Sequence, residues 1–147
     1  MRLSRWLGML LMCAVPGCGS DQGFEVVPVT GVVTLDDQPL AEADVTAIPT
    51  HTTPGLGGAA RTNEQGQFQL FHARGERGLP PGDYKLTVSL RKRKDGSVPP
   101  VNDPTPPIES DAVETLPPMF SDPTASTLTA TIVTEVKPLD IKLKSSK

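Results

Sequence analysis

Apolar and polar residues alternate along several short segments of the chain, and this period of two predicts β-strands. The pattern is clearest from Tyr84 to Leu90, where every second residue is apolar. Successive side chains of a strand point to opposite faces, so one face would be buried and the other solvated. No segment shows a sustained helical period. The other segments with strand patterns are 27–35, 43–47, 59–62, 68–70, 128–132 and 139–143.

Turn-forming residues separate these segments. Asp36–Pro39 is predicted to turn the chain, and Asn63–Gly66 is predicted to form a hairpin turn with Gly66 at positive φ. Residues 92–123 include eight prolines from Pro99 to Pro123, so we expect a long extended excursion that contains no central strand. About seven short strands without helices predict an all-β Greek-key sandwich over residues 26–147.

The amino-terminal segment has a different pattern. Arg2 and Arg5 precede the apolar run Trp6–Val15, which ends at Pro16 and Gly17. This run is about half of the 20 or so residues that a membrane-spanning helix needs. Residues 1–17 are therefore predicted to be a signal peptide.

The segment Val15–Ser20 resembles the lipobox of bacterial lipoproteins, which has an aliphatic residue three positions before a cysteine. The resemblance implies cleavage before Cys18 and acylation of Cys18, with residues 18–25 as a lipidated tether. It also implies a membrane partner, held through the acyl chains on Cys18, and a place in the bacterial cell envelope on the periplasmic or outer-membrane face. The alternatives are an ordinary signal peptide cut near Gly19 or a cytosolic protein with a hydrophobic start.

Charge and cysteine content change the picture further. Cys13 lies in the segment to be removed, so acylation of Cys18 would leave no free thiol, and no disulfide is expected. Loss of two arginines from 14 basic residues leaves 12 against 17 acidic ones, a net charge of −5 that argues against nucleic-acid binding.

The basic cluster Arg91–Lys94 is interpreted as a solvated strand end. Binding to anionic lipid or a cell-wall polymer is its alternative.

Few residues could support catalysis. His51 and His72 are the only histidines, and both are predicted to lie in loops, at opposite ends of the sandwich. A metal site would need them to converge with a carboxylate such as Glu76 or Asp83, and a G-x-S-x-G elbow is absent from the sequence. The glycine-rich stretch 55–58 lacks the lysine of a phosphate loop. We expect no catalytic site, no metal and no cofactor.

Three further motifs occur in the order Val29–Val45, Thr62–Leu70 and Leu79–Val88. They resemble the G-x-V strand with its D-G-x-P-L hairpin, the T-D-x-x-G-x-F-x-L turn and the L-P-P-G-x-Y-x-L-x-V strand of carboxypeptidase regulatory-like domains. The resemblance implies an immunoglobulin-like or prealbumin-like sandwich that performs no chemistry. Within it, Phe68 would fill the core, and the Tyr84 hydroxyl would reach nearby backbone in a tyrosine corner.

These observations leave several hypotheses. The first is a non-catalytic, lipid-anchored envelope protein with a structural or binding role, whose partner would be an envelope protein or a cell-wall polymer. A minimal metal-dependent hydrolase is one alternative. A carbohydrate-binding module is another, and it would need an exposed aromatic platform. Most aromatic residues of the mature chain are expected in the core or the tether; they are Phe24, Phe68, Phe71, Tyr84 and Phe120.

Overall fold

The computed structural model describes residues 25–51, 53–106, 108–135 and 137–145. The predicted signal peptide and Cys18 lie outside this part of the chain. Within the described residues one helix and eleven strand segments occur, four of them only two residues long. They are β1 (Thr30–Leu35), β2 (Gln38–Pro39), β3 (Asp44–Pro49), β4 (Gly58–Arg61), β5 (Gln67–Gln69), β6 (Phe71–His72), β7 (Gly82–Ser89), β8 (Arg91–Lys92), β9 (Val113–Glu114), α1 (Pro118–Ser121), β10 (Thr129–Ile132) and β11 (Leu139–Leu143).

Two sheets carry most of these strands, and the all-β prediction is confirmed. In the first sheet β1 pairs in parallel with β11 and antiparallel with β2 and β5. The second sheet has the order β10-β7-β3-β4-β6, with antiparallel pairing throughout. The Greek-key connectivity and the immunoglobulin-like or prealbumin-like assignment stay predictions.

The apolar faces of both sheets form one core. Val33 and Leu143 from the first sheet and Val45 and Val88 from the second are fully buried within it. Each belongs to the apolar phase of an alternating segment, so the predicted inward faces are confirmed. Burial of apolar surface of this kind contributes about 25 cal/mol per Å².

Gly31 has no side chain, and this leaves room for the ring of Phe68 on the neighbouring strand β5. A Cβ atom at Gly31 would lie 2.6 Å from Phe68 Cζ and 2.5 Å from the carbonyl oxygen of Leu139. Both separations are far shorter than van der Waals contact, so a larger residue would force the strands apart. The predicted core position of Phe68 is confirmed, since only 5% of the residue is exposed.

Tyr84 fixes the start of β7. Its Oη donates a hydrogen bond to the carbonyl oxygen of Pro80 at 2.8 Å, which confirms the predicted contact with nearby backbone. Burial raises the pKa of Tyr84 to about 12.

The turn at Asn63–Gly66 differs from the predicted hairpin. Gly66 has the expected positive φ of 71°, and the amide of Gly66 donates to the carbonyl of Asn63. The flanking strands do not pair with each other, however, because β4 pairs with β3 and β6 whereas β5 pairs with β1. The turn therefore carries the chain from one sheet to the other.

The proline-rich excursion is fastened to the end of β7. No part of its described residues joins the two large sheets, as predicted, but β9 pairs with β8 in a small sheet and α1 forms one helical turn. Neither element was expected from the sequence. The Glu114 carboxylate accepts hydrogen bonds from the backbone amides of Leu90 and Leu116 at 3.0 and 2.9 Å. One side chain thus accepts from a backbone amide just before the excursion and from another in its returning part.

Candidate functional site

An open groove lies where β4 and β5 diverge after the Asn63–Gly66 turn. It has a volume of about 690 Å³, within the range of about 300 to 1,000 Å³ that is typical of ligand sites. It is lined by residues 30–32 of β1, Ala60 and Arg61 of β4, Asn63, residues 67–69 of β5, Phe71 of β6, and Pro138. Both sheets therefore contribute to one concave surface.

The strand edges that face this groove are incompletely paired. Arg61 pairs only with Asp44 of β3, because β6 begins at Phe71, opposite Ala59, and does not reach Ala60 or Arg61. Gln69 pairs only with Thr30 of β1. Each of these two residues therefore has one edge without a neighbouring strand among the described residues. The gap arises because the sheets separate at this point.

Phe71 places an aromatic ring at the groove. The residue is 41% exposed, whereas Phe68, Tyr84 and Phe120 are buried in the core. The expectation that most aromatic residues serve the core or the tether is met at these three, and Phe71 is an exception to it. An exposed aromatic ring is the feature that a carbohydrate-binding module would require.

Side chains with unused hydrogen-bonding capacity lie beside the ring. Within the described part of the chain, the Gln69 amide and the Thr30 hydroxyl have no hydrogen-bond partner. The Gln67 Oε1 atom accepts from Asn63 Nδ2 at 3.2 Å, which leaves the Gln67 amide nitrogen free to donate. The groove therefore offers both donors and acceptors to a ligand.

The charge of Arg61 is matched inside the protein. Its Nε and Nη2 atoms donate to the two carboxylate oxygens of Asp44 at 2.7 and 2.8 Å, and Nη1 donates to the carbonyl of Pro99 at 2.7 Å. The hydrogen bonds to Asp44 raise the pKa of Arg61 above its usual value. A bidentate pair of this type holds a guanidinium in place. The groove consequently has almost no net charge.

The prediction that His72 lies in a surface loop is wrong. His72 lies on β6, and only 1% of its side chain is exposed. Its Nε2 atom accepts a hydrogen bond from the Leu56 amide at 3.4 Å, and its Nδ1 atom lies 3.1 Å from a carboxylate oxygen of Glu76. Both ring nitrogens therefore have partners inside the protein, and the ring packs under the 51–58 loop.

The prediction that the two histidine segments lie at opposite ends of the sandwich is wrong. Leu56 contacts His72 and belongs to the same loop as His51, which is exposed. Asp83, the other candidate ligand, accepts a hydrogen bond from Thr131 Oγ1 at 2.7 Å. Among the described residues, no group of three or more histidine, cysteine, aspartate or glutamate side chains is placed to hold a metal ion.

The basic cluster Arg91–Lys94 is partly committed to internal contacts. Arg91 donates to the carbonyl of Ala112 at 2.7 Å, and Arg93 pairs with Asp103 and Asp111 of the excursion. These contacts favour the structural interpretation of the arginines, and they leave the two lysines as the exposed charges.

Comparison of the chain with protein-family models, curated proteins and solved structures finds no match. The resemblances to lipoproteins and to carboxypeptidase regulatory-like domains therefore stay predictions. In the part of the chain that the structure describes, no helix has the length and apolar character needed to cross a bilayer.

The alternation that predicts a strand at 68–70 continues beyond Leu70. This continuation indicates which residues after Leu70 are exposed, among them Phe71 of the groove. Burial alternates strictly from Gln67 to His72, with Phe68, Leu70 and His72 buried and the residues between them more exposed. Extending the period of two by two residues places Phe71 outside and His72 inside. The predicted strand stopped short of both residues, so their positions were missed.

Proposed function

We propose that this chain is a non-catalytic, lipid-anchored protein of the bacterial cell envelope, and that its β-domain binds an envelope component through the groove beside Phe71. The observation that carries the binding role is the combination of an exposed aromatic ring with unpartnered polar groups in one concave surface of the described residues. Binding sites typically combine apolar surface with a few well-placed polar groups.

The anchor is proposed from the sequence around Cys18. Two or more acyl chains hold a protein firmly to a membrane, whereas one chain binds only marginally. Near the start of the described chain, the backbone groups of Val27 and Leu79 exchange hydrogen bonds of 2.9 and 3.0 Å and hold the chain to the domain. A fully extended chain from Cys18 to Val27 would span at most about 30 Å. The groove would therefore operate close to the membrane surface.

Mass spectrometry of the mature amino terminus tests the anchor. We expect the protein to begin at a diacylglyceryl-modified Cys18 and to partition with membranes. Cys18→Ala should abolish the modification and release the protein from the membrane fraction. Cys13→Ala is the matched control, because it changes a cysteine of the removed segment and should leave processing unchanged. An unmodified Cys18 in the mature protein would refute the proposed anchor.

Photo-crosslinking in intact cells tests the binding role of the groove. A photoreactive residue at Gln69, whose amide has no partner among the described residues, should capture an envelope component. The same probe at the exposed residue Glu109 in the excursion is the control. Equal capture at both positions, or none at Gln69, would refute a binding role for this surface.

A further inference from the structure

We propose that the groove beside Phe71 binds a neutral saccharide chain of the envelope. This inference rests on the proposed function, because it names the ligand class for the same groove. Its chemistry follows from three properties of the site: an exposed ring, hydrogen-bonding groups of both kinds, and a near-zero net charge.

The Phe71 ring supplies an apolar surface of the shape that a pyranose requires. A sugar ring presents hydroxyl groups at its rim and polarised C–H groups on its flat face. The face of an aromatic ring carries negative potential, so it attracts those C–H groups as well as shielding them from water. With 41% of the residue exposed, Phe71 can make this contact without leaving its strand.

The polar groups beside the ring match hydroxyl chemistry. A sugar hydroxyl donates one hydrogen bond and accepts others, so it is best bound by a group that can do both. The Gln69 amide and the Thr30 hydroxyl each both donate and accept, and the Gln67 amide nitrogen adds a further donor. Amide side chains satisfy several hydroxyl groups of one sugar without introducing charge.

The electrostatics of the groove favour a neutral chain over an anionic one. Arg61 is the charged residue of the lining, and its guanidinium already donates to both carboxylate oxygens of Asp44 and to the Pro99 carbonyl. A phosphate or uronate would have to displace Asp44 to use this cation. The hydrogen bonds between Arg61 and Asp44 are charge-assisted, and such bonds are about twice as strong as neutral ones.

The strand edges argue against an extended peptide as the main ligand. Peptides that add to a sheet form a row of main-chain hydrogen bonds along several residues. Here the free edges are two residues of β4, Ala60 and Arg61, and the three residues of β5, Gln67–Gln69, and the two edges belong to different sheets. Neither edge offers a peptide more than a few main-chain hydrogen bonds.

Titration calorimetry with the full chain in detergent tests this proposal. The probes are the neutral hexasaccharides cellohexaose, maltohexaose, laminarihexaose and chitohexaose, with anionic hexagalacturonate for comparison. We expect saturable binding of at least one neutral probe that is tighter than hexagalacturonate binding. Phe71→Ala should weaken it by about tenfold or more, and Gln69→Ala by about threefold to tenfold.

Two variants make the readout specific to the groove. Phe71→Tyr keeps an aromatic ring and should retain binding, whereas Ile108→Ala removes a side chain of a residue that is 94% exposed outside the groove and should have no effect. Circular dichroism of each variant excludes loss of fold as the cause. Because Phe71 is not part of the buried core, Phe71→Ala should keep its native spectrum.

The possible outcomes separate the ligand class from the binding role. Failure of every neutral probe, tighter binding of hexagalacturonate, or binding that survives Phe71→Ala would overturn the saccharide proposal. If a peptide or protein is then cross-linked at Gln69 in cells, the binding role would stand with a different ligand. If neither saccharide binding nor cross-linking occurs, both proposals fail.

Discussion

Replacement of Glu114 by alanine should loosen the proline-rich excursion and destabilise the whole domain. The Glu114 carboxylate accepts from the amides of Leu90 and Leu116, from the amide of Thr115 at 3.0 Å, and from the Ser89 hydroxyl. It therefore joins the last residues of β7 to the returning end of the excursion. Alanine would remove all of these acceptor contacts at once.

The expected cost follows from the donors that would be left without an acceptor. Leu90 and Leu116 are each 6% exposed, so water replaces the lost carboxylate poorly at their amides. An unsatisfied buried donor costs about 1 to 3 kcal/mol. The Thr115 amide also donates to the Leu90 carbonyl and keeps that partner. Two orphaned donors give about 2 to 4 kcal/mol, allowing for local relaxation.

Urea denaturation monitored by circular dichroism measures this cost. At about 4 °C per kcal/mol, the melting temperature should also fall by about 8 to 16 °C. Glu114→Gln keeps one oxygen acceptor and should lose less, about 1 kcal/mol. Glu109→Ala, which removes an exposed carboxylate of the same excursion, should change stability by less than about 0.5 kcal/mol. Equal stability of Glu114→Ala and Glu109→Ala would refute the anchoring role of Glu114.

Three further predictions test the core and the assignment of the histidines. Burial raises the pKa of Tyr84 from 10.0 to about 12, so the neutral hydroxyl stabilises the fold below pH 10 and this contribution is lost as the pH rises toward 12. Absorbance titration of this single tyrosine should show late ionisation, and Tyr84→Phe should remove that part of the alkaline instability. Gly31→Ala should lower the free energy of unfolding by about 1 to 3 kcal/mol, because its Cβ would meet the Leu139 carbonyl; an unchanged urea midpoint would contradict the close contact. Calorimetry should detect no tight zinc binding, and stoichiometric zinc that is lost in His51→Ala or His72→Ala would revive the hydrolase hypothesis.

Local sequence patterns were sufficient for the strands of three or more residues and for their buried faces. The alternation from Tyr84 to Leu90 and that from Leu139 to Leu143 both match the observed burial of the apolar phase. The alternation of apolar and polar side chains depends only on neighbouring positions along one strand. It can therefore be recognised without knowing which strands pair. The positive φ of Gly66 could be predicted for the same reason, since it depends on the turn alone. The resemblance of Val15–Ser20 to a lipobox also predicts lipidation of Cys18 without reference to the fold, and it stays a prediction.

Tertiary structure alone decided how the segments combine. The parallel pairing of Gly31 with Leu139 joins residues more than one hundred positions apart, and no local pattern encodes that partnership. The Asn63–Gly66 turn has the local features of a hairpin, yet the two strands it connects enter different sheets because each finds a better partner elsewhere. Their separation opens the groove beside Phe71. A concave site of this kind depends on how distant backbone segments diverge, and that is a property of the packed chain rather than of its local sequence.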